Sequence, residues 1–513
     1  MAMRFYGLQT LTVLTLLAGP AVAQEPQDRL QLRLLGTYET GLFDQGAAEI
    51  SAYAPVAQRL YVVNAEAVGL DVLDLSDPSS PTRISHISLA AHGGSVNSVA
   101  VFEGSVAVAV AAEPAQQPGK VVFLSLDGET SGTVEVGANP DMLAFTPDGA
   151  RLVVANEGEP DDDYSVDPEG SVSIITVADM NVTHARFDTI TDLPAGMRIG
   201  KPGARLAADM EPEYVAIAED NKTAYVTLQE NNGIAVVDLE TATVTRLMGL
   251  GYKDHNVHAL DASNKDGGRN IVTWPVKGMY QPDAIAAYEV SGQTYLVTAN
   301  EGDARDYDGW SEEVRVADLT LDETAFPNAK ELQSDGALGR LKTTSAMGDV
   351  DGDGDHDEIY AYGARSFSIW SASGEQVYDS GDQLERMTAK RLGDNFNANN
   401  DENESGDNRS DDKGPEPEGV VLGKIAGRTI AFIGLERVGG VASYDVTDPT
   451  KVEFLGYENN RDFTGSAEAG RAKDLGPEGL TFIPAAQSPN GRDLLVVANE
   501  VSGSSSVFEV TLN

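Results

Sequence analysis

One theme recurs along most of the chain. An acid follows Pro, a short apolar run and a turn come next, then an apolar strand ends in Asn-Glu or a near variant, and a third strand follows. Asn139-Pro140-Asp141 leads to Leu152-Val153-Val154-Ala155-Asn156-Glu157, and Gln281-Pro282-Asp283 leads to Tyr295-Leu296-Val297-Thr298-Ala299-Asn300-Glu301. Further copies start at Glu211-Pro212-Glu213, Pro417-Glu418 and Gly476-Pro477-Glu478, with weaker ones at 49–75, 96–126 and 341–379. Such repetition constrains the fold more than any single motif, because each unit buries its apolar face only against its neighbours. The strands are rich in Val, Ile, Leu, Ala and Tyr and are separated by Gly, Asp, Asn and Pro turns. Four antiparallel strands per repeat arranged radially make a β-propeller; a pair of sandwiches or a solenoid is the competing arrangement. The expectation is all-β, with seven or eight four-stranded blades, eight repeats being counted. Insertions are expected near 241–280 and 384–415. Leu30-Gln31-Leu32-Arg33-Leu34-Leu35 reads as a strand without a blade, suited to closing the ring against the C-terminal strands.

The repeat also distributes acid. The 513 residues hold 81 Asp and Glu against 36 Lys and Arg, for a formal charge of −45. That balance opposes binding to nucleic acid or an anionic membrane surface and favours cations as ligands. With no Cys and six His, thiolate and zinc chemistry have little material. Hard cations held by oxygen fit better.

In a propeller blade, the residue entering the first strand and the residue leaving the second share one face. Asp141, Glu213, Asp283, Glu418 and Glu478 take the first slot, and Glu66, Glu157, Glu230, Glu301, Glu436 and Glu500 take the second. Taken singly, each acid reads as a turn cap. Taken together they read as a cation-loaded channel mouth, since bare carboxylates that close would raise one another's pKa. Glu157, Glu213, Asp283, Glu301, Glu418 and Glu478 are the candidates for this acidic site.

A second candidate is local. Asp349, Asp351, Asp353 and Asp357 stand at positions 1, 3, 5 and 9 of an alternating acidic loop, with Asp355 between them and Gly354 at position 6. That is the calcium-loop pattern. Tyr360 occupies position 12 and a strand-like run follows, so the expectation is a calcium-binding hairpin loop, not an EF-hand. Arg305, Arg315, Arg409, Lys413 and Arg437 are scarce cations near the acid-rich loops. They either pair locally or help to hold a phosphate or sulfate ester. His255 and His258 are possible acid–base groups.

The N-terminus reads as a signal peptide over residues 1–23: Arg4, an apolar stretch from Leu8 to Leu17, and an A-x-A pattern ending at Ala23. Residues 24–513 then form a single periplasmic or secreted domain with no membrane anchor.

Several stretches together resemble the choice-of-anchor I family: Leu152 to Pro160, Asp167 to Ser171, Trp274 to Ala287, Ala299 to Tyr307, Gly348 to Asp357 and Ser410 to Gly419. The family includes exported bacterial proteins and mesenchyme-specific surface glycoproteins of biomineralising echinoderm cells. The resemblance implies an exported lactonase-like or YVTN-like propeller, related in architecture to WD40 repeats. Some bacterial members are labelled alkaline phosphatases. It carries over no catalytic residues. Two functions stay open. One is a non-enzymatic calcium-binding (Ca2+) propeller that holds a ligand or surface, including a phosphorylated or polyanionic one, through its acidic mouth. The other is a calcium-dependent phosphoesterase at the same mouth, with Glu301, Glu418, Arg305 and Arg437 as candidate catalytic residues.

Overall fold

A computed structural model describes residues 28–513; the expected signal peptide, 1–23, lies outside the described residues. The chain folds into seven four-stranded antiparallel sheets. Six are built in order from residues 51–88 (sheet 1), 95–138 (sheet 2), 140–186 (sheet 3), 212–249 (sheet 4), 285–379 (sheet 5) and 417–458 (sheet 6). Sheet 7 combines strands Pro477–Ile483, Leu494–Asn499 and Ser504–Leu512 with the first described strand, Leu30–Glu39. That strand pairs antiparallel with Ser504–Leu512 from Leu30 opposite Leu512 to Glu39 opposite Ser504. Both ends of the described chain therefore meet in one sheet, where Leu30–Glu39 is the outer edge and covers Ser504–Leu512.

The first strands of successive sheets lie side by side, and the first strand of sheet 7 touches that of sheet 1. Apolar residues fill the spaces between sheets, because a sheet buried on both faces needs side chains of both parities inside. Val106 to Val110 of sheet 2 illustrates this: all five residues are fully buried. Outer strands such as Thr82–Ser88 are exposed along most of their length.

The weak repeat at 341–379 supplies no sheet of its own. Ser366–Ser371 and Gln376–Asp379 are the third and fourth strands of the sheet begun by Ile285–Val290 and Gln293–Asn300. The segment from 301 to 365 leaves between the second and third strands. It packs with the 250–284 connection around Leu260, Val276, Val316, Leu321, Phe326, Leu338 and Ile359. Residues 243–249 are the fourth strand of sheet 4, so the chain departs from that sheet only after Gly249. The connection between sheets 5 and 6 carries the ten-residue helix Gln383–Leu392.

Candidate functional site: an acid-lined channel mouth

The sequence theme has a structural device behind it. In sheets 3, 4, 6 and 7 the first strand opens on Pro140, Pro212, Pro417 and Pro477, and in each the register slips before the third residue beyond Pro. The slip is a β-bulge, which leaves one residue unpaired and re-aims side chains. The residues inside it are Asp141-Met142, Glu213-Tyr214, Glu418-Gly419 and Glu478-Gly479. Pro has no N–H to lose from the ladder at that point.

The second-strand motif divides its labour. Asn156 and Asn300, both fully buried, donate to serines of the third strand: Asn156 Nδ2 to Ser173 Oγ at 2.9 Å, and Asn300 Nδ2 to Ser368 Oγ at 2.9 Å. The Glu that follows each is free to face the mouth. In sheet 1 the residue after Asn64 is Ala65, and Glu66 stands one position later, where it is exposed. A one-residue offset flips a side chain to the other face, so Glu66 does not join the others.

The remaining ten acids converge. Burial first, then Glu230, Asp283, Glu157 and Asp141, raise the pKa of Glu213 well above the carboxylate range. Burial first, then Glu301, Glu478 and Asp141, does the same for Asp283. Glu418 is raised by burial and by Glu478, Glu436 and Glu301, and Glu157 by burial, Glu159 and Asp141. Glu478 is pushed up to about 8 and Asp141 to about 7, burial being the leading cause in both. The acids of sheets 3 to 7 thus feel one another across one space.

The structure adds residues that sequence reasoning passed over. Glu49, raised to about 9 by burial and by Glu478 and Glu500, brings sheet 1 into the ring. The phenol of Tyr214 is raised by burial first, then by the charges of Asp283, Glu478, Asp141 and Glu418. Glu211 and Glu416 are fully buried. Both were visible as the leading residue of a Glu-Pro-Glu tripeptide. Glu416 Oε1 accepts from Arg409 Nε at 2.8 Å and Nη2 at 2.6 Å, and Arg437 Nε approaches Oε2 at 3.1 Å. Burial alone would raise Glu416, but Lys413, Arg409 and Arg437 outweigh it and hold the carboxyl at about 2.

The candidate cations are engaged. Lys413 Nζ donates to Glu301 Oε1 at 2.7 Å and to the Gly302 carbonyl at 2.6 Å. Gly302 has φ 91°, and a Cβ there would meet the Gly363 backbone nitrogen at 2.1 Å, so only Gly fits. Arg305 is buried against Glu211 and donates to the Asp209 carbonyl at 2.8 Å. Arg315 reaches Asp411 at 2.8 Å, outside this group. Arg437 keeps 28% of its side chain exposed, against 0% for Arg305. Sheets supply most of the acids, while the loops between strands supply Arg305, Arg409 and Lys413.

The choice-of-anchor I domain matches residues 49–449. The chain belongs to the choice-of-anchor I family. Membership indicates an extracellular or surface protein. It is similar to Gigasin-3a of Magallana gigas, at 34% identity over 190 residues, covering 35% of this chain and 66% of that protein. It is also similar to the mesenchyme-specific cell surface glycoprotein of Strongylocentrotus purpuratus, at 29% over 288 residues, covering 48% of this chain and 36% of that one. This chain therefore spans less than two thirds of either relative. Among solved structures, Kuenenia stuttgartiensis hydrazine synthase aligns with a TM-score of 0.47 at 12% identity, over 93% of this chain and 100% of that one. A streptogramin B lyase aligns with a TM-score of 0.47 at 11% identity, over 94% and 98%.

The acidic loop of this choice-of-anchor I protein lies in the segment that interrupts sheet 5. Carboxylate oxygens of Asp349, Asp351 and Asp353 come within 4.8 Å of one another, and all three residues are exposed. Asp355 and Asp357 are half-buried and stand outside that trio. Asp349 accepts from the backbone of Gly352 at 2.7 Å and Gly354 at 3.1 Å, and Asp357 from Val350 at 2.9 Å. Gly352 and Gly354 take φ of 81° and 102°. His255 is buried and donates through Nδ1 to the His258 carbonyl at 2.8 Å. Among the described residues, no helix is long and apolar enough to cross a membrane.

Proposed function

We propose that this choice-of-anchor I propeller is exported, loads a divalent cation, calcium foremost, at its acidic mouth, and uses that cation to hold an anionic ligand or surface. One observation carries the reading. Oε2 of Glu211, Glu213, Glu230 and Glu418 are all buried without a hydrogen-bond partner. A buried carboxylate oxygen left bare is costly, and a hard cation with oxygen ligands is the group that satisfies several at once. The donors are carboxylates and a phenol, with no thiolate or free imidazole among them, which suits calcium over softer metals. Bound there, calcium supplies positive charge at a water-poor mouth, where a phosphate, sulfate or carboxylate of a larger polymer can approach. The mouth would then select polyanions through the metal and not through lysines. The loop at Asp349, Asp351 and Asp353 is a second, structural candidate for calcium.

Arg437 favours the phosphoesterase reading, being more exposed, at 28% of its side chain, than Arg409 at 18% or Arg305 at 0%. Against that reading, Arg305, Arg409 and Lys413 are spent on carboxylates and leave little to clamp a transferred phosphoryl group. Retention of the protein on beads carrying a phosphorylated or sulfated polymer, with calcium and with chelator, decides between them when run beside hydrolysis of a phosphate-ester panel. Retention that needs calcium, without turnover, is the expected result. Calcium-independent retention would overturn the proposal. Turnover that is lost in Glu301→Gln or Glu418→Gln would give the phosphoesterase reading its place.

A further inference from the structure

Beside the mouth stands a cluster of a different kind. Strands Asp306–Tyr307 and Trp310–Ser311 form a two-stranded hairpin in which Tyr307 is paired directly opposite Trp310. Opposed residues share one face of such a pair, and both rings lie against Tyr164. Each is perpendicular to that ring, at 89°, with centroids 5.2 Å away for Tyr307 and 6.1 Å for Trp310. The Lys201 ammonium lies 3.3 Å from the Tyr164 centroid and 5.8 Å from that of Trp310. Tyr307 also ties the cluster to the mouth, since its phenol donates to Glu159 Oε1 at 3.2 Å, and Asn139 Nδ2 bridges Glu159 to Glu157.

This is not core packing. The apolar core of the inserted segment is built on Leu260, Val316 and Phe326, while the three rings and Lys201 all keep part of their surface in water. Lys201 also differs from the mouth cations. Arg305, Arg409 and Lys413 each meet a carboxylate, whereas the Lys201 ammonium has none within ion-pair distance among the described residues. Tyr164 takes φ of 55°, a left-handed conformation that is costly for a bulky residue and recurs at ligand clamps. The walls are fixed. Gly309 donates its N–H to the Asp162 carbonyl at 2.8 Å, and a Cβ there would meet the Asp163 carbonyl oxygen at 2.2 Å. The Lys201 N–H is held by Asp209 Oδ1 at 3.0 Å, so the backbone is anchored and only the flexible four-carbon arm can leave.

An ammonium over aromatic faces is held by the negative side of the ring quadrupole. Exposed acids flank both segments, Asp162 and Asp163 beside Tyr164 and Asp306 and Asp308 around Tyr307, so the field here favours a cation over an anion. Going beyond the metal-loaded mouth and independently of it, we infer that Tyr164 and Trp310 form a cage for the alkylammonium group of an external ligand, and that Lys201 is its internal occupant, displaced when the ligand binds. The ligand class is an aliphatic arm ending in a primary or quaternary ammonium. Tyr307 is a positioning residue that braces the Tyr164 ring. Lys201 competes as a tethered group, so the wild-type protein binds such a ligand weakly.

The test is a ligand-observed NMR titration of calcium-free protein at fixed ionic strength. Choline is the quaternary probe, Nα-acetyl-lysinamide the primary one, and the uncharged tert-butyl isostere of choline the control. Lys201→Ala should bind the ammonium probes about fivefold tighter than wild type, the scale of a partly desolvated cation–π contact. The isostere should show no such gain. The tighter of the two probes tells whether the source is a small quaternary amine or a lysine side chain. In the Lys201→Ala background, Trp310→Leu should remove the gain, with circular dichroism confirming an unchanged fold. Trp310→Phe, which keeps a weaker ring face and disturbs packing less, should fall between the two. No gain in Lys201→Ala, a gain that survives both Trp310 variants undiminished, or equal binding of the isostere would overturn the proposal. None of these results bears on the calcium site, so the two readings fail separately.

Discussion

The two acidic regions of this protein invite opposite treatments of the same chemistry. The Asp349 loop gathers its carboxylates within a few residues, on the surface, and already uses them to accept backbone N–H groups. The mouth gathers acids from Glu49 to Glu500 and buries them. Two charges 4 Å apart interact by about 1 kcal/mol in water and about 4 kcal/mol at the effective dielectric near protein. Burial, more than the number of acids, therefore sets what a cation contributes. A calcium ion at the loop would relieve repulsion that water already screens, while one at the mouth would relieve repulsion that Arg305, Arg409, Lys413 and Arg437 answer only in part.

That contrast can be broken first at Glu416, the mouth acid whose charge is fully answered. Glu416→Gln leaves Arg409, Arg437 and Lys413 short of a partner, and removing one member of a buried pair costs about 3–5 kcal/mol. Urea unfolding should show that loss, and a change under 1 kcal/mol would mean that the cation cluster does not depend on Glu416. Glu418 is the opposite case, raised well above its ordinary pKa, with Oε2 bare. Glu418→Gln should stabilise the calcium-free protein by about 1–2 kcal/mol, the scale of a relieved unsatisfied buried group. Destabilisation in the absence of calcium would contradict the claim that this acid is uncompensated.

A smaller and more graded effect is expected with pH. Glu49, Glu478 and Asp141 sit at about 9, 8 and 7 when folded, against about 4 when unfolded. Between those values the folded state holds protons that the unfolded chain has released, so stability falls as pH rises. In chelator, the melting temperature should decline from about pH 5 to pH 9. Calcium should flatten the upper part of that slope, because it replaces the protons. A slope that calcium leaves untouched would separate these acids from the cation site.

The repeat made the blades legible from sequence, and Pro followed by acid marked the bulge that aims Asp141, Glu213, Glu418 and Glu478 at one mouth. The sequence read poorly where two strands of one sheet are far apart in the chain. The copy at 341–379 looked like a separate unit because the segment from 301 to 365 divides sheet 5. Glu66 matches the other acids in residue type but not in strand parity, because Ala65 follows Asn64 where the other strands carry Glu. The cations were found, but their partners were not. Arg305 meets Glu211 across 94 residues and Lys413 meets Glu301 across 112, and no local pattern encodes such pairings. Glu211 and Glu416 precede the Pro that opens each first strand, so the repeating Pro-acid pair does not contain them.

The central claim is that the buried mouth, and not the exposed loop, is the principal cation site of this protein. Melting temperature measured with calcium and with chelator, in wild type and in Asp351→Ala/Asp353→Ala, tests it directly. A chelator-induced drop that persists in the loop variant, at more than half its wild-type size, is the predicted result. A drop that disappears with the loop aspartates, or that is absent from wild type, would contradict the account.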